Sequence, residues 1–426
     1  MDIKMKKFFD ISRWESMLEK SVDKGIDRAL LVQLCEPQNR MQLLNAIVSG
    51  NYEIAPPHVA RIPKDNGEFR EVYVNEAIDR IFLSLYNDVM FEMYGHKIHP
   101  SCKSYQKGIG CPQTVKEISK KICSMPGEVV GYKADLSKYF DKVKIEVIDK
   151  ALDELSTNSP LDEIVRNYYH NDMIFDADGN LTEHYGSLKQ GCAFASFLAN
   201  YVLRDVDEEL SKMDILYCRY SDDLLMIGKD ANKALAKLKE MLEPKGLSLN
   251  PKKVESVSKH TYFTFLGFNV CGPHISFSKK SIKNFQKEVE ARTIKAKCST
   301  TKAIHQVNKY LYEGYVVDDK RFGWAAYFLP TINVEEDIQE LNRFVMDCIR
   351  AVDSGRKEIG GLGENKQMQN GVVCRGKGKN VRANRQKWQN KYGGDNIDGY
   401  ITLNAMRKAL KIGKPIYESL LMSVTM

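Results

Sequence analysis

The stretch Ile215-Leu216-Tyr217-Cys218-Arg219-Tyr220-Ser221-Asp222-Asp223-Leu224-Leu225-Met226-Ile227 decides how this chain is read. Two apolar runs flank a short acidic turn, the pattern of a buried hairpin with two aspartates at its tip. Adjacent carboxylates repel one another, which raises their pKa unless a cation neutralises them. A divalent metal does so, and magnesium prefers carboxylate and phosphate oxygens to thiols or imidazoles. Alone, such a turn is met more often in a solvated loop. A second acidic strand end alters that balance. Val129-Val130-Gly131-Tyr132-Lys133-Ala134-Asp135-Leu136 reads as a buried strand that closes on an aspartate. Aspartates at the ends of two neighbouring strands can share two metals, the arrangement used for in-line phosphoryl transfer.

Outward from these segments, helix and strand signals alternate. Leu18, Ile26, Leu30, Leu31 and Leu34 predict a helical region over residues 1–55. The prolines of 56–63 predict extended chain, and Asp65-Asn66-Gly67 a hairpin turn between 61–64 and 69–74. Helices are expected over 75–94, 161–169, 231–242 and 278–297, and one long helix over 193–212. Residues 262–270 read as a single strand, and the segments up to 352 as mainly helical. This mixture predicts an α+β architecture. Gly355, Gly360, Gly361 and Gly363 mark a break, beyond which Arg375, Lys377, Lys379, Arg382 and Arg385 lie in a segment free of acids. Such a run reads as a solvated basic loop or a nucleic-acid contact, and Trp388 and Tyr392 beside the cations favour the contact, since bases stack on aromatics while cations neutralise phosphates.

The 426 residues are 43% hydrophobic and 28% charged, so the chain can bury large cores and is no disordered tail. The net charge of +7 is mild, and what matters is where it sits. No apolar run has the length of a bilayer-spanning helix, and no apolar signal core follows Met1; a cytoplasmic protein without a membrane partner is expected. Ten cysteines are scattered without any CxxC pair, which argues against a zinc site and a disulfide framework.

Asp135-Leu136-Ser137-Lys138-Tyr139-Phe140-Asp141 resembles motif A of reverse transcriptases, the run from Gln190 to Asn200 resembles motif B, and Tyr220-Ser221-Asp222-Asp223 resembles the YxDD box of motif C. Residues 246–253 are similar to motif D and Phe265-Leu266-Gly267-Phe268 to the motif E primer grip. Residues 61–70 look like the fingers hairpin of bacterial and group II intron-type enzymes, with Asp79-Arg80 fitting the element after it. The resemblance covers residues 56–270, and Gly323-Trp324-Ala325-Ala326-Tyr327-Phe328 extends it into a thumb segment. It implies a right-hand polymerase fold. The expected domains are an N-terminal helical region (1–55), fingers and palm (56–270), a helical thumb (271–353) and a basic C-terminal extension (354–426).

Carried over residue by residue, the resemblance implies that Asp135, Asp222 and Asp223 hold two Mg²⁺ ions, for which Mn²⁺ could substitute, with the Leu136 carbonyl completing one shell. Lys253 would protonate departing pyrophosphate. Lys64 and Arg70 would grip the dNTP triphosphate, and Phe140 would sit under the sugar and exclude a 2′-hydroxyl. Gln190 and Gly191 would let the backbone approach the template–primer pair, and Leu266 and Gly267 would hold the primer end. Ser104-Tyr105-Gln106-Lys107-Gly108 loosely resembles the template-contacting segment after the fingers.

Two departures stand out: Ala195-Ser196 replaces the usual Ser-Pro pair of motif B, and Ser221 stands where motif C commonly has Ala. Neither removes a carboxylate. No His/Cys cluster of an HNH nuclease and no retron signature is present. The format is similar to the defence-associated "unknown group" reverse transcriptases of bacteria, among which the class 2 type copies a partner non-coding RNA. The implied function is RNA-directed DNA synthesis on a cognate structured RNA, giving cDNA, in antiphage defence. The alternatives are template-independent DNA synthesis of the abortive-infection type, and a non-catalytic maturase-like RNA-binding protein.

Overall fold

The computed structural model describes residues 2–19, 21, 25–64, 67–312, 315–317, 320–355, 367–369, 372–374, 397 and 399–412. The chain divides into two units, residues 1–109 with 130–256 and residues 110–129 with 257–426. The N-terminal helices share a hydrophobic core with the segments that follow them in the first unit.

The first unit opens with α1 (Ile3–Phe8), α2 (Ile11–Glu19), α3 (Arg28–Cys35) and α4 (Pro37–Val48). Phe8, Trp14, Leu31 and Ile47 seat them in the core. Next come β1 (His58–Pro63) and β2 (Phe69–Val74), antiparallel from His58↔Val74 to Pro63↔Phe69, the hairpin that the prolines and the Asn-Gly signal predict. The expected helix follows as α5 (Ala77–Tyr94), while α6 (Cys111–Ser124) belongs to the second unit. Then follow β3 (Val130–Asp135), α7 (Tyr139–Lys142), α8 (Ile145–Leu155) and α9 (Pro160–His170). The start of α9 ties the unit together. Ser159 and Asp162 form a capping box. The Asp162 carboxylate also takes the buried ammonium of Lys4 from α1 and the Tyr86 hydroxyl from α5. The strands β4 (Met173–Phe175) and β5 (Leu181–Glu183) complete the fingers sheet in the order β2-β1-β4-β5.

Residues 193–212 form two helices rather than the one expected, α10 (Ala195–Tyr201) and α11 (Arg204–Ser211). The carbonyls of Asn200 and Tyr201 accept from the guanidinium groups of Arg219 at 3.1 Å and Arg204 at 3.0 Å. Leu203, at φ −109° and ψ 8°, leaves the helical basin. The hairpin of the acidic turn follows as β6 (Ile215–Tyr220) and β7 (Asp223–Gly228), with β3 on the far side of β7. The central strand β7 buries Leu224, Leu225, Met226 and Ile227 at 1% exposure or less. Each such side chain contributes about 1.5–3 kcal/mol. Gly131 is needed where β3 crosses β7, since a Cβ there would lie 2.0 Å from the Met226 carbonyl oxygen. α12 (Ala231–Leu242) packs on β3 and β7.

The chain passes into the second unit within β8 (Glu255–Ser258). The single strand expected over 262–270 is a hairpin of β9 (Phe263–Phe265) and β10 (Phe268–Cys271), with β11 (His274–Phe277) on the other edge of β10. Leu266 (φ 49°) and Gly267 (φ 83°) are both left-handed, the signature of a two-residue type I′ turn. The expected helices follow as α13 (Lys279–Arg292) and α14 (Thr300–Tyr312), then a small hairpin, β12 (Tyr315–Val317) with β13 (Lys320–Phe322), and α15 (Trp324–Phe328) and α16 (Glu335–Asp353). Phe277, Phe285, Trp324 and Phe328 stack into its aromatic core. Among the described residues, no helix is long and apolar enough to cross a membrane.

Candidate active site

The strand register brings the acidic residues together. Asp135, the last residue of β3, pairs directly with Asp223, the first of β7. The Leu136 N–H donates to the Asp222 carbonyl at 3.0 Å, and the Asn250 N–H to the Asp135 carbonyl at 2.8 Å. Ser221 and Asp222 form the two-residue turn between Tyr220 and Asp223. Positive φ at the first of these only (Ser221, 58°) is the signature of a type II′ turn, where glycine is the usual occupant.

Burial and like charge act on these carboxyls in the same direction. Burial raises the pKa of Asp222, and Asp135 adds to the rise. Asp223 is pushed up to about 6, by burial first and then by Asp222 and Asp135. Lys253 answers part of this charge: its ammonium donates to Asp135 Oδ2 at 2.7 Å. Burial opposes that charge, but the pairing with Asp135 holds the lysine pKa above its ordinary value. Arg70 is a further cation that Asp222 senses.

Among the described residues, no group of three or more His, Cys, Asp or Glu side chains converges closely enough to enclose a metal ion as placed. The donor set nevertheless fits one. Three carboxylates supply hard oxygen donors, and a divalent cation relieves the repulsion that raises their pKa values. Asp135, Asp222 and Asp223 are the residues that would hold it.

The other expected site residues fall out as follows. Lys64 is exposed at the end of the fingers hairpin and pairs with Glu68 at 3.6 Å. Arg70 lies on β2 opposite Ile62. Phe140 is half-buried against the core, edge-on to Tyr139 at 5.4 Å, and its carbonyl accepts from the Leu188 N–H at 2.9 Å. Gln190 accepts from the Tyr73 N–H at 2.7 Å. At Gly191 (φ 107°) a Cβ would lie 2.4 Å from Val72 Cγ1 and 2.8 Å from the Tyr73 carbonyl oxygen. Its missing side chain thus serves the approach of motif B to β2. Leu266 and Gly267 make the β9–β10 turn of the second unit, where the Gly267 carbonyl accepts from Ser281 Oγ at 2.8 Å. Arg375, Lys377, Lys379, Arg382 and Arg385 lie outside the described residues.

Sequence reasoning missed two features beneath the turn. Arg219 and Asp207, both fully buried, form an ion pair at 2.5 Å. The signal was a lone cation in an apolar strand, facing a helix whose buried stripe of Val206 and Leu210 includes an aspartate. The other is a contact of Tyr105, a residue of the segment that resembles a template contact: its hydroxyl lies 3.4 Å from Ser221 Oγ.

Carboxylates at the abutting ends of antiparallel strands, with a lysine seated on one of them, mark the palm of a right-hand nucleic acid polymerase. Residues 62–270 match the family described as reverse transcriptase (RNA-dependent DNA polymerase), and this segment belongs to it. Members of that family use divalent metal ions and RNA templates. The COX1/OXI3 intron 1 protein of Saccharomyces cerevisiae is 20% identical over 342 residues, covering 66% of this chain and 40% of the yeast protein. The chain thus spans well under half of that relative. Among solved structures, apo telomerase from Candida tropicalis aligns with a TM-score of 0.43 at 13% identity, over 71% of this chain and 58% of that one. Telomerase from Candida albicans in complex with a telomeric RNA fragment gives the same TM-score and identity, over 88% and 64%.

Proposed function

We propose that the protein is an RNA-directed DNA polymerase that copies a cognate structured non-coding RNA into cDNA. The setting is antiphage defence in the bacterial cytoplasm, as for the unknown-group reverse transcriptases that the chain resembles. The observation that carries the polymerase reading is the Asp135–Asp223 register beside the Asp222 turn, with two of the three carboxyls raised in pKa by burial and mutual repulsion. A binding scaffold has no need of so costly a group of charges.

Bound at Asp135, Asp222 and Asp223, two Mg²⁺ ions would supply activation of the primer 3′-hydroxyl and charge neutralisation on pyrophosphate. Lys253 holds a proton at Nζ beside these carboxylates, where it can be passed to the departing pyrophosphate. Arg70 and Lys64 bind the triphosphate as cations on the fingers hairpin. Phe140 excludes a 2′-hydroxyl and the Leu266-Gly267 turn holds the primer end, while the Leu136 carbonyl would add an oxygen donor for a bound metal.

The test is primer extension on poly(rA)/oligo(dT) with Mg²⁺ and dTTP or UTP, with Asp222→Asn in parallel. DNA synthesis by the parent and none by the variant supports the reading. The yeast relative, named for an intron, favours one second reading, a maturase-like RNA-binding protein. Biological activity that survives Asp222→Asn would establish that reading instead.

A further inference from the structure

Four segments of the first unit meet at one buried cation. Arg219 lies on β6, two residues before Ser221, with no exposure. Its Nε donates to Asp207 Oδ1 at 2.7 Å and its Nη2 to Asp207 Oδ2 at 2.5 Å, a fork-on-fork pair that the Tyr217 hydroxyl joins at 2.8 Å. Nη2 also donates to the Asn200 carbonyl at 3.1 Å, at the break between α10 and α11, and Nη1 donates to the Ser221 carbonyl at 3.3 Å, in the acidic turn. The fourth segment precedes Tyr105. There the Asn200 amide donates to the Ser104 carbonyl and accepts from the Ser104 hydroxyl, both at 2.8 Å. The backbone of Arg219 bonds to the same segment, its N–H donating to the Ser101 carbonyl at 3.0 Å and its carbonyl accepting from the Lys103 N–H at 2.8 Å.

We propose that Arg219 is a positioning residue for polymerisation: it seats the Ser221-Asp222 turn against the α10–α11 break and thereby places Asp222 and Asp223. The inference rests on the polymerase reading of those aspartates. Stability alone is a poor reason for the pair, since well-packed apolar residues replace buried ion pairs with little or no loss. An apolar pair cannot hold the Ser221 carbonyl. That residue needs holding, because a non-glycine residue at φ 58° persists only where its surroundings over-determine it. On the opposite side the Leu136 N–H fixes the Asp222 carbonyl, so the turn is pinned from both faces. Carboxylates displaced by a fraction of an ångström lose rate without losing nucleotide affinity.

The experiment replaces the pair by apolar residues, Arg219→Met with Asp207→Leu, and separately makes Arg219→Lys. Each full-length variant is assayed with dTTP on poly(rA)/oligo(dT), beside the parent and Asp222→Asn, and its thermal midpoint is recorded. The expected result is a midpoint near the parent's for the apolar pair, kcat lower by about tenfold or more, and KM for dTTP within about twofold. Arg219→Lys keeps the charge but loses the fork, and its kcat should fall in the same way; it decides the matter if the apolar pair does not fold. Folded variants with kcat within about twofold of the parent, or with the loss confined to KM, would overturn the inference. A parent with no Asp222-dependent synthesis would instead overturn the polymerase reading, and this inference with it.

Discussion

Replacing Asp223 by Asn should stabilise the metal-free protein at neutral pH while abolishing its chemistry. The Asp223 carboxyl stands at about 6 rather than the ordinary 3.8, raised by burial first and then by Asp222 and Asp135. A carboxyl raised in the folded state contributes stability that is fully present below the unfolded value. That contribution is lost as the pH climbs from 3.8 through 6, because the unfolded chain ionises first. At about 1.4 kcal/mol per pH unit between the two values, the ionised group costs the fold about 3 kcal/mol above pH 6. Asn keeps the shape and removes the charge. Urea unfolding in EDTA should therefore find Asp223→Asn more stable than the parent by about 2–3 kcal/mol near pH 7.5, the gap closing near pH 4. Saturating Mg²⁺ should stabilise the parent and largely erase the difference, since a ligand that binds only the folded state adds to its stability. A variant no more stable than the parent at neutral pH in EDTA, or equal stabilisation of both by Mg²⁺, would refute the reasoning.

Other outcomes follow from single contacts. Gly131→Ala should cost about 3 kcal/mol or more or prevent folding, because its Cβ would meet the Met226 backbone oxygen at 2.0 Å; a parent-like urea midpoint would contradict this. Phe140→Ala should narrow the preference for dTTP over UTP by about tenfold or more, read as the ratio of kcat/KM values; an unchanged ratio would return Phe140 to the core. Lys189 is buried, its ammonium donates to the carbonyls of Tyr168 and Asn171 at 2.7 and 2.6 Å, and burial brings its pKa down to about 8. Between about pH 8 and 10.5 the unfolded lysine holds a proton that the folded one has lost, so the parent should gain stability relative to Lys189→Met across that window. Parallel stability–pH curves would exclude it.

The acidic site was legible in the sequence because its signals are local. A charge that ends an apolar run, as at Asp135 and at Asp222-Asp223, shows within a few residues where a buried strand meets solvent, and β3, β6 and β7 end there. The fingers hairpin was legible for the same reason, its prolines and Asn-Gly pair specifying backbone geometry in place. What was not legible depends on residues distant in the chain. Nothing between 193 and 212 announces the break at Val202-Leu203, because the group that takes the Asn200 carbonyl lies on β6. The tight packing at Gly191 is of the same kind, since the atoms that exclude a side chain there belong to Val72 and Tyr73, well over a hundred residues earlier. The turn inside 262–270 was hidden differently: its first residue is Leu266, apolar and so indistinguishable by pattern from the strands around it, though its φ is 49°.

Arg219 joins the two kinds of signal. A lone cation inside an apolar strand is a local anomaly, and a buried charge must find a partner. The sequence therefore poses the question at Arg219 while leaving the answer, Asp207, to the fold. The same guanidinium takes the carbonyl freed where the helix breaks and the carbonyl of the turn that bears Asp222. Two failures of the sequence reading, the unbroken helix and the unexplained arginine, thus have one cause. Restoring a continuous helix would return the Asn200 carbonyl to the helix ladder and withdraw a partner from the group that seats the carboxylates. On this account the break between α10 and α11 is part of the active site, although neither helix contributes a carboxylate to it.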